Sequence, residues 1–161
     1  MVIDADGLNC LSLQKELLHQ LPGFSVLTPH PKEFDRLFGE HQNDFDRIET
    51  VRKKSEELNC IIVLKGHYSL VATPAGHGYF NSTGNAGMAK GGSGDVLTGI
   101  ISSLVAQNYS PLHATLLGVY IHGLAGDLAA KNLSEEYITP GNLVQHLSAV
   151  FLRFRSGSGQ H

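Results

Sequence analysis

The amino-acid sequence predicts an α/β layered fold, a sheet of short strands covered by helices. Three observations predict it. Cys60-Ile-Ile-Val-Leu64 is a continuous, largely β-branched apolar run, as in strands buried on both faces. Short apolar runs alternate with helical stretches through the first half of the chain. The second half is helical, with apolar residues recurring at helical spacing.

Val2-Ile3 reads as the end of a buried strand that stops at Asp4. Leu11, Leu13, Leu17, Leu18 and Leu21 give one helical face, closed by Pro22-Gly23. Phe24 to Leu27 is a second short strand. Pro31 suits the first turn of a helix with Phe34, Leu37 and Phe38 on one face and Gly39 as its stop. Asp44 is the expected cap of a charged surface helix reaching about Leu58. After the 60–64 strand, Tyr68 to Thr73 and Gly78 to Asn81 form an extended pair turned by Pro74-Ala75-Gly76. From Gly94 onward the chain is helical, with Val96, Leu97, Ile100, Ile101, Leu104 and Val105 on one face. A second helix runs from about Pro111 to Lys131, and a third follows Thr139-Pro140.

The chain has 161 residues, enough for a real core. With no linker or repeat, residues 1–155 read as one unit and 156–161 as a disordered tail or an added scar. A buried strand at the very start needs neighbours, and the strands are few for a closed sheet. The expectation is therefore the C-terminal portion of a larger domain.

Twelve basic residues against fifteen acidic ones give no basic stripe for nucleic acid and no polybasic run for a membrane surface. No apolar stretch approaches the roughly 20 residues of a membrane span. Cys10 and Cys60 read as small core residues in a reducing cytoplasm, and the scattered histidines show no metal-ligand spacing.

The chemistry gathers in GNAGMAKGGSGDVLTG, residues 84–99, which holds six glycines and one acid, Asp95. A strand, a glycine-rich loop and a helix N-terminus make an anion site. Glycines let several N–H groups turn inward, and the helix end adds partial positive charge. Asp95, beside this cradle, is placed to take a proton from a hydroxyl attacking a phosphoryl group. The stretch lacks the Gly-Lys-Ser/Thr of a Walker A loop. The residue types alone equally allow a capping acid after a flexible loop.

GGSGDVLTG resembles the glycine-rich signature of ribokinase-like kinases. The longer NAGMAKGGSGDVLTGIISSLVAQ is similar to one branch, the nucleotide-dependent NAD(P)H-hydrate dehydratases. VIDADGLN at 2–9, LTPHPKEFDRLFG at 27–39 and IIVLKGHYSLVATPAG at 61–76 resemble further motifs of that family, in the family's order. The likeness covers about residues 2 to 150. It implies a ribokinase-like layered fold with a mostly parallel central sheet flanked by helices, with the N-terminal part missing. It implies repair of NADHX and NADPHX: ADP or ATP phosphorylates the ring hydroxyl, and loss of phosphate restores NAD(P)H.

Carried over motif by motif, Asp95 is the implied base and substrate contact. Gly91, Gly92, Ser93 and Gly94 form the implied anion hole. Lys65, Gly66, His67, Tyr68 and Ser69 form the implied nucleotide segment, although the rings of His67 and His77 are not expected to be ligands. His30 is the implied substrate-side histidine. Glu33 is the implied organiser of Mg²⁺, through water; it could also be a helix-dipole acid. Asp4, Asp6 and Asn9 are candidates to support the site or to form turns. His113, His122 and His146 read as packing or surface residues. Lys32 stands where the family has glycine, facing either a phosphate or solvent.

The absent N-terminal portion implies open strand edges, hence a homo-oligomer or a complementing N-terminal piece. The alternatives are a ribokinase-like kinase acting on a sugar or vitamin-precursor alcohol, and a non-catalytic nucleotide-binding module.

Overall fold

A computed structural model describes residues 1–157. Strand β1 (Val2–Ile3) enters helix α1 (Ala5–Leu13). A 3-10 turn at Lys15–Gln20 leads to β2 (Val26–Leu27), α2 (Pro31–Phe38) and α3 (Asp44–Leu58). Strands β3 (Ile61–Leu64), β4 (Leu70–Ala72) and β5 (Gly78–Phe80) follow. The chain ends in α4 (Ser93–Ala106), α5 (Pro111–Leu133) and α6 (Pro140–Gly157).

The sheet order is β1-β2-β3-β4-β5. β1, β2 and β3 are parallel, with Val26 opposite both Val2 and Ile61. β3, β4 and β5 are antiparallel, with Val63 opposite Val71 and Val71 opposite Tyr79. The described sheet is therefore mixed. Its parallel half is joined by helical crossovers and its antiparallel half by short turns.

Strand alternation sorts the core into two layers. Leu27, Ile62, Leu70 and Ala72 face a cluster with Leu8, Leu11, Phe34, Leu37 and Val51 from α1, α2 and α3. Val26, Ile61, Val63 and Val71 face Leu97 and Ile101 of α4 and Val119 of α5. Ile61 and Ile62 are both fully buried, each contributing roughly 1.5–3 kcal/mol through lost water contact. This two-sided burial is what the β-branched run at 60–64 required.

Several expectations are corrected. The leucine-rich stretch is not one helix: α1 stops at Gln14, Leu13 is 85% exposed, and a 3-10 turn takes over. Phe24 lies outside β2, with φ +62° and an exposed ring. The cap of α3 is Asn43, whose side chain accepts from Asp46 N–H at 3.0 Å, and Asp44 is the first helical residue. Cys10 is exposed on α1; only Cys60 is a core residue. α6 takes in Ser156 and Gly157, so the tail expected from 156 begins inside a helix; residues 158–161 lie outside the described residues. No helix among the described residues is long and apolar enough to cross a membrane.

Candidate active site

The C-terminal ends of β1, β2 and β3 open on the same side of the sheet, where ligands of open parallel sheets gather. Asp4 directly follows β1, β2 leads through Thr28-Pro29 to His30, and Lys65 directly follows β3. The glycine loop and the first turn of α4 close over them. The result is a cavity of about 630 Å³.

Lys65 is the hub. Its Nζ donates to Asp4 Oδ1 at 2.8 Å and lies 3.9 Å from Glu33 Oε2. Thr98 Oγ1, from α4, donates to Asp4 Oδ2 at 3.0 Å. Burial pushes the Asp4 carboxyl up, but the hydrogen bond and charge of Lys65, with the Ala5 N–H and the Thr98 hydroxyl, hold it below the ordinary carboxylate value. Gly94 allows this packing, because a Cβ there would stand 3.1 Å from Lys65 Nζ and 3.2 Å from Asp4 Oδ2. Ala5, on the cavity wall, holds φ +46°, a backbone strain that functional sites tolerate.

His30 caps α2. Its Nδ1 accepts from Lys32 N–H at 3.1 Å and Glu33 N–H at 3.3 Å, while Glu33 Oε2 accepts from His30 N–H at 2.8 Å. This reciprocal box fixes the ring and leaves Nε2 to carry the proton.

The loop enters α4 through Gly92, whose φ of +89° places it in the left-handed region that favours glycine. His122 of α5 donates through Nε2 to the Ser93 carbonyl at 3.0 Å. Burial drives its pKa down to about 4 against the raising effect of that bond, and Lys65 adds to the depression. The ring is neutral at pH 7.

Of the residues picked from the sequence, Asp4, His30, Lys65, Gly66, His67, Ser69, Gly91, Gly92, Ser93, Gly94 and Asp95 line this one cavity. Asp95 lies in the first turn of α4 and is open to solvent. Ser69 Oγ closes the Gly66–Ser69 turn by donating to Gly66 O at 3.2 Å and accepting from Gly66 N–H at 3.3 Å. Tyr68 does not line the cavity. It is exposed and packs edge-on against His67. Glu33 stands behind the wall, buried and engaged by the His30 N–H, so it does not fit as a direct metal ligand. Among the described residues no group of three His, Cys, Asp or Glu gathers to hold a metal. Asp6 is exposed, and Asn9 accepts from Arg36 Nη1 at 2.9 Å, away from the cavity. Lys32 faces solvent.

Sequence reasoning missed His122, which it assigned to packing or surface, and did not notice Asp127. Both lie on the face of α5 that backs the loop. The signal was available in HGLAGD, residues 122–127: two glycines close together mark a helix face on which another backbone lies near. A Cβ at Gly123 would collide with Thr83, and one at Gly126 with Met88.

The sequence model of the NAD(P)H-hydrate dehydratase family matches residues 1–149. The chain belongs to that family. An ADP-dependent (S)-NAD(P)H-hydrate dehydratase from Neisseria meningitidis is 46% identical over 136 residues, covering 82% of this chain and 46% of that protein. A bifunctional NAD(P)H-hydrate repair enzyme from Moorella thermoacetica is 44% identical over 151 residues, 92% of this chain and 28% of the relative. Among solved structures, the Bacillus subtilis ADP/ATP-dependent NAD(P)H-hydrate dehydratase co-crystallised with ATP and Mg²⁺ superposes with a TM-score of 0.83 at 34% identity. That match covers 95% of this chain and 54% of the other. Arabidopsis thaliana ribokinase, at 16% identity and a TM-score of 0.54, shares the fold. The chain thus spans about half, or less, of the length of these relatives.

Proposed function

We propose that this chain carries the phosphoryl-transfer half of an NAD(P)H-hydrate dehydratase. One observation carries the reading: the glycine loop, Asp95, Lys65 and His30 surround one cavity in a chain of this family. ADP or ATP is the phosphoryl donor, and NADHX or NADPHX the acceptor. The nucleotide lies along Gly66–Ser69, with its terminal phosphate against the N–H groups of Gly91–Gly94. His30 Nε2–H orients the hydrated ring.

Asp95 accepts the proton of the ring hydroxyl as the hydroxyl oxygen bonds to the terminal phosphorus. The bond from that phosphorus to the bridging oxygen breaks, and the shortened nucleotide leaves. The helix end and loop N–H groups stabilise charge on the phosphoryl oxygens in flight. The ring C–O bond then breaks with phosphate as leaving group, and loss of a neighbouring ring proton restores the double bond of NAD(P)H. Phosphorylation is needed because hydroxide leaves poorly and phosphate leaves well. Mg²⁺, held on the phosphates of the nucleotide, would screen their charge, and Glu33 would reach it only through water. Lys65, pinned between carboxylates, adds a fixed positive charge near the loop.

Self-association, or a complementing N-terminal piece, belongs to the same proposal. What supports it is β1, which pairs only with β2 among the described residues and so presents an open edge. A cytoplasmic setting belongs to the same proposal.

The test is turnover by the purified chain. NADHX is mixed with ADP or ATP and Mg²⁺, and NADH absorbance is followed, with Asp95→Asn as control. Nucleotide-dependent NADH formation that vanishes in the variant is expected. Phosphorylation of a sugar or vitamin-precursor alcohol with NADHX untouched would overturn the reading.

A further inference from the structure

The face of α5 behind the glycine loop carries one acid, and both of its carboxylate oxygens are taken by the loop. Gly84 N–H donates to Asp127 Oδ2 at 3.0 Å, and Asn85 Nδ2 donates to Asp127 Oδ1 at 3.1 Å. The other end of the Asn85 amide, Oδ1, accepts from Gly87 N–H at 3.1 Å and caps the short 3-10 turn Ala86–Met88. Met88 then packs onto Gly126, one residue before Asp127. On the other side of Gly84, Thr83 Oγ1 donates to Tyr120 O at 3.0 Å and lies against Gly123. His122, Gly123, Gly126 and Asp127 thus share one helix face, and each meets the loop or its continuation into α4.

The geometry points to Asp127 as a positioning residue that fixes the entrance of the phosphate loop and so the aim of its N–H groups. This rests on the reading of the loop as a phosphate cradle. Gly84 has φ +105°, and further glycines follow at 87, 91 and 92. A backbone this free loses much entropy when a ligand orders it. Tethering it beforehand to a packed helix removes part of that loss from the binding step. Asp127 does not line the cavity, so it steadies the loop without presenting its charge to a phosphate. A carboxylate suits the position because it accepts twice. An asparagine there would offer one acceptor and turn a donor towards either Gly84 N–H or the Asn85 amide.

The test compares Asp127→Asn, the double variant Asp127→Asn with Asn85→Asp, and the parent chain. Three readouts are taken: amide hydrogen exchange across residues 84–92, affinity for ADP and ATP with Mg²⁺ by calorimetry, and thermal midpoint. In the single variant the Gly84 and Gly87 amides should exchange faster and nucleotide affinity should fall about tenfold. The double variant should restore both. Its new amide at position 127 would accept from Gly84 N–H through oxygen and donate through nitrogen to the new carboxylate at position 85. The second oxygen of that carboxylate would keep Gly87 N–H. Unchanged exchange and affinity in the single variant overturn the proposal, as does a loss that the double variant fails to repair. A lowered thermal midpoint with unchanged affinity assigns Asp127 to stability alone and also overturns it. A parent chain that binds neither nucleotide brings down the phosphate reading and the functional half of this one. The exchange comparison would still decide whether Asp127 holds the loop.

Discussion

The Lys65 ammonium donates to Asp4 Oδ1 at 2.8 Å, joining the ends of two strands across 61 residues of sequence. The Asp4 side chain is 8% exposed and that of Lys65 is 21% exposed. Lys65→Met would strand a nearly buried carboxylate and should destabilise the fold by about 2 kcal/mol in urea unfolding, allowing for the water that Lys65 still meets. The folded pKa of Asp4 is depressed, so its contribution is present above the ordinary value of 3.8 and lost as pH falls through the folded one. The gap between parent and variant should therefore close in acid. A gap that persists there would show that lost packing, not lost charge, is the cause. Nucleotide affinity should fall as well.

Asp95→Asn should lower turnover by about 10²–10⁴-fold, the usual worth of a general base, with nucleotide affinity retained. Asp95 lies at the solvent-open rim of the first turn of α4, so the fold has little stake in it. Parallel loss of binding and turnover, measured by calorimetry and NADH formation, would remove it from the base role.

His122 gives a pH signature of the opposite kind from a paired histidine. Its pKa falls from 6.5 to about 4 on folding. Between those values the unfolded chain binds a proton that the folded chain refuses. Stability therefore drops as pH falls from about 6.5 to about 4, by at most one proton's linkage. His122→Gln keeps a donor for the Ser93 carbonyl and should flatten this slope in denaturation curves taken at stepped pH. An unchanged slope would place the titration elsewhere.

Two adjacent glycines should respond differently to alanine. Gly92 holds φ +89°, and a Cβ there would stand 3.0 Å from Pro140 Cγ. Gly92→Ala should cost about 1–2 kcal/mol and weaken nucleotide binding. A Cβ at Gly91 would meet nothing within 4 Å, so Gly91→Ala should leave stability within about 0.5 kcal/mol of the parent. Equal losses would mean that loop flexibility, rather than the left-handed turn, is what matters.

Sequence reading went furthest where one residue type admits one answer. The β-branched run of β3 needs burial on both faces, Pro31 and Gly39 bracket α2, and the glycine-to-aspartate junction fixes the start of α4. It went astray where two answers satisfy the same pattern. Asn43 and Asp44 can each cap a helix, and only backbone geometry chooses between them. The leucines from 11 to 21 match helical spacing whether or not the chain breaks at Gln14. Asp4 could be placed at a strand end, yet its cation comes from another strand. The glycines of HGLAGD mark a helix face that another backbone approaches, but the partners of His122 and Asp127 could not be named, for the same reason. Their partners lie 29 and 43 residues away and meet them only because α5 crosses behind the loop.

The strand order has a kinetic consequence. Each strand pairs with its sequence neighbour, and β4 and β5 meet across one short turn. That hairpin closes a small loop and can form early. The contacts of Asp4 with Lys65 and Thr98 close loops of 61 and 94 residues, whose entropy must be overcome before any contact rewards it. The ion pair and the hydroxyl tie that hold the cavity together should therefore form late in folding. Nucleotide binding, followed in real time during refolding, should lag behind formation of the hairpin and serve as a sensor of the completed chain.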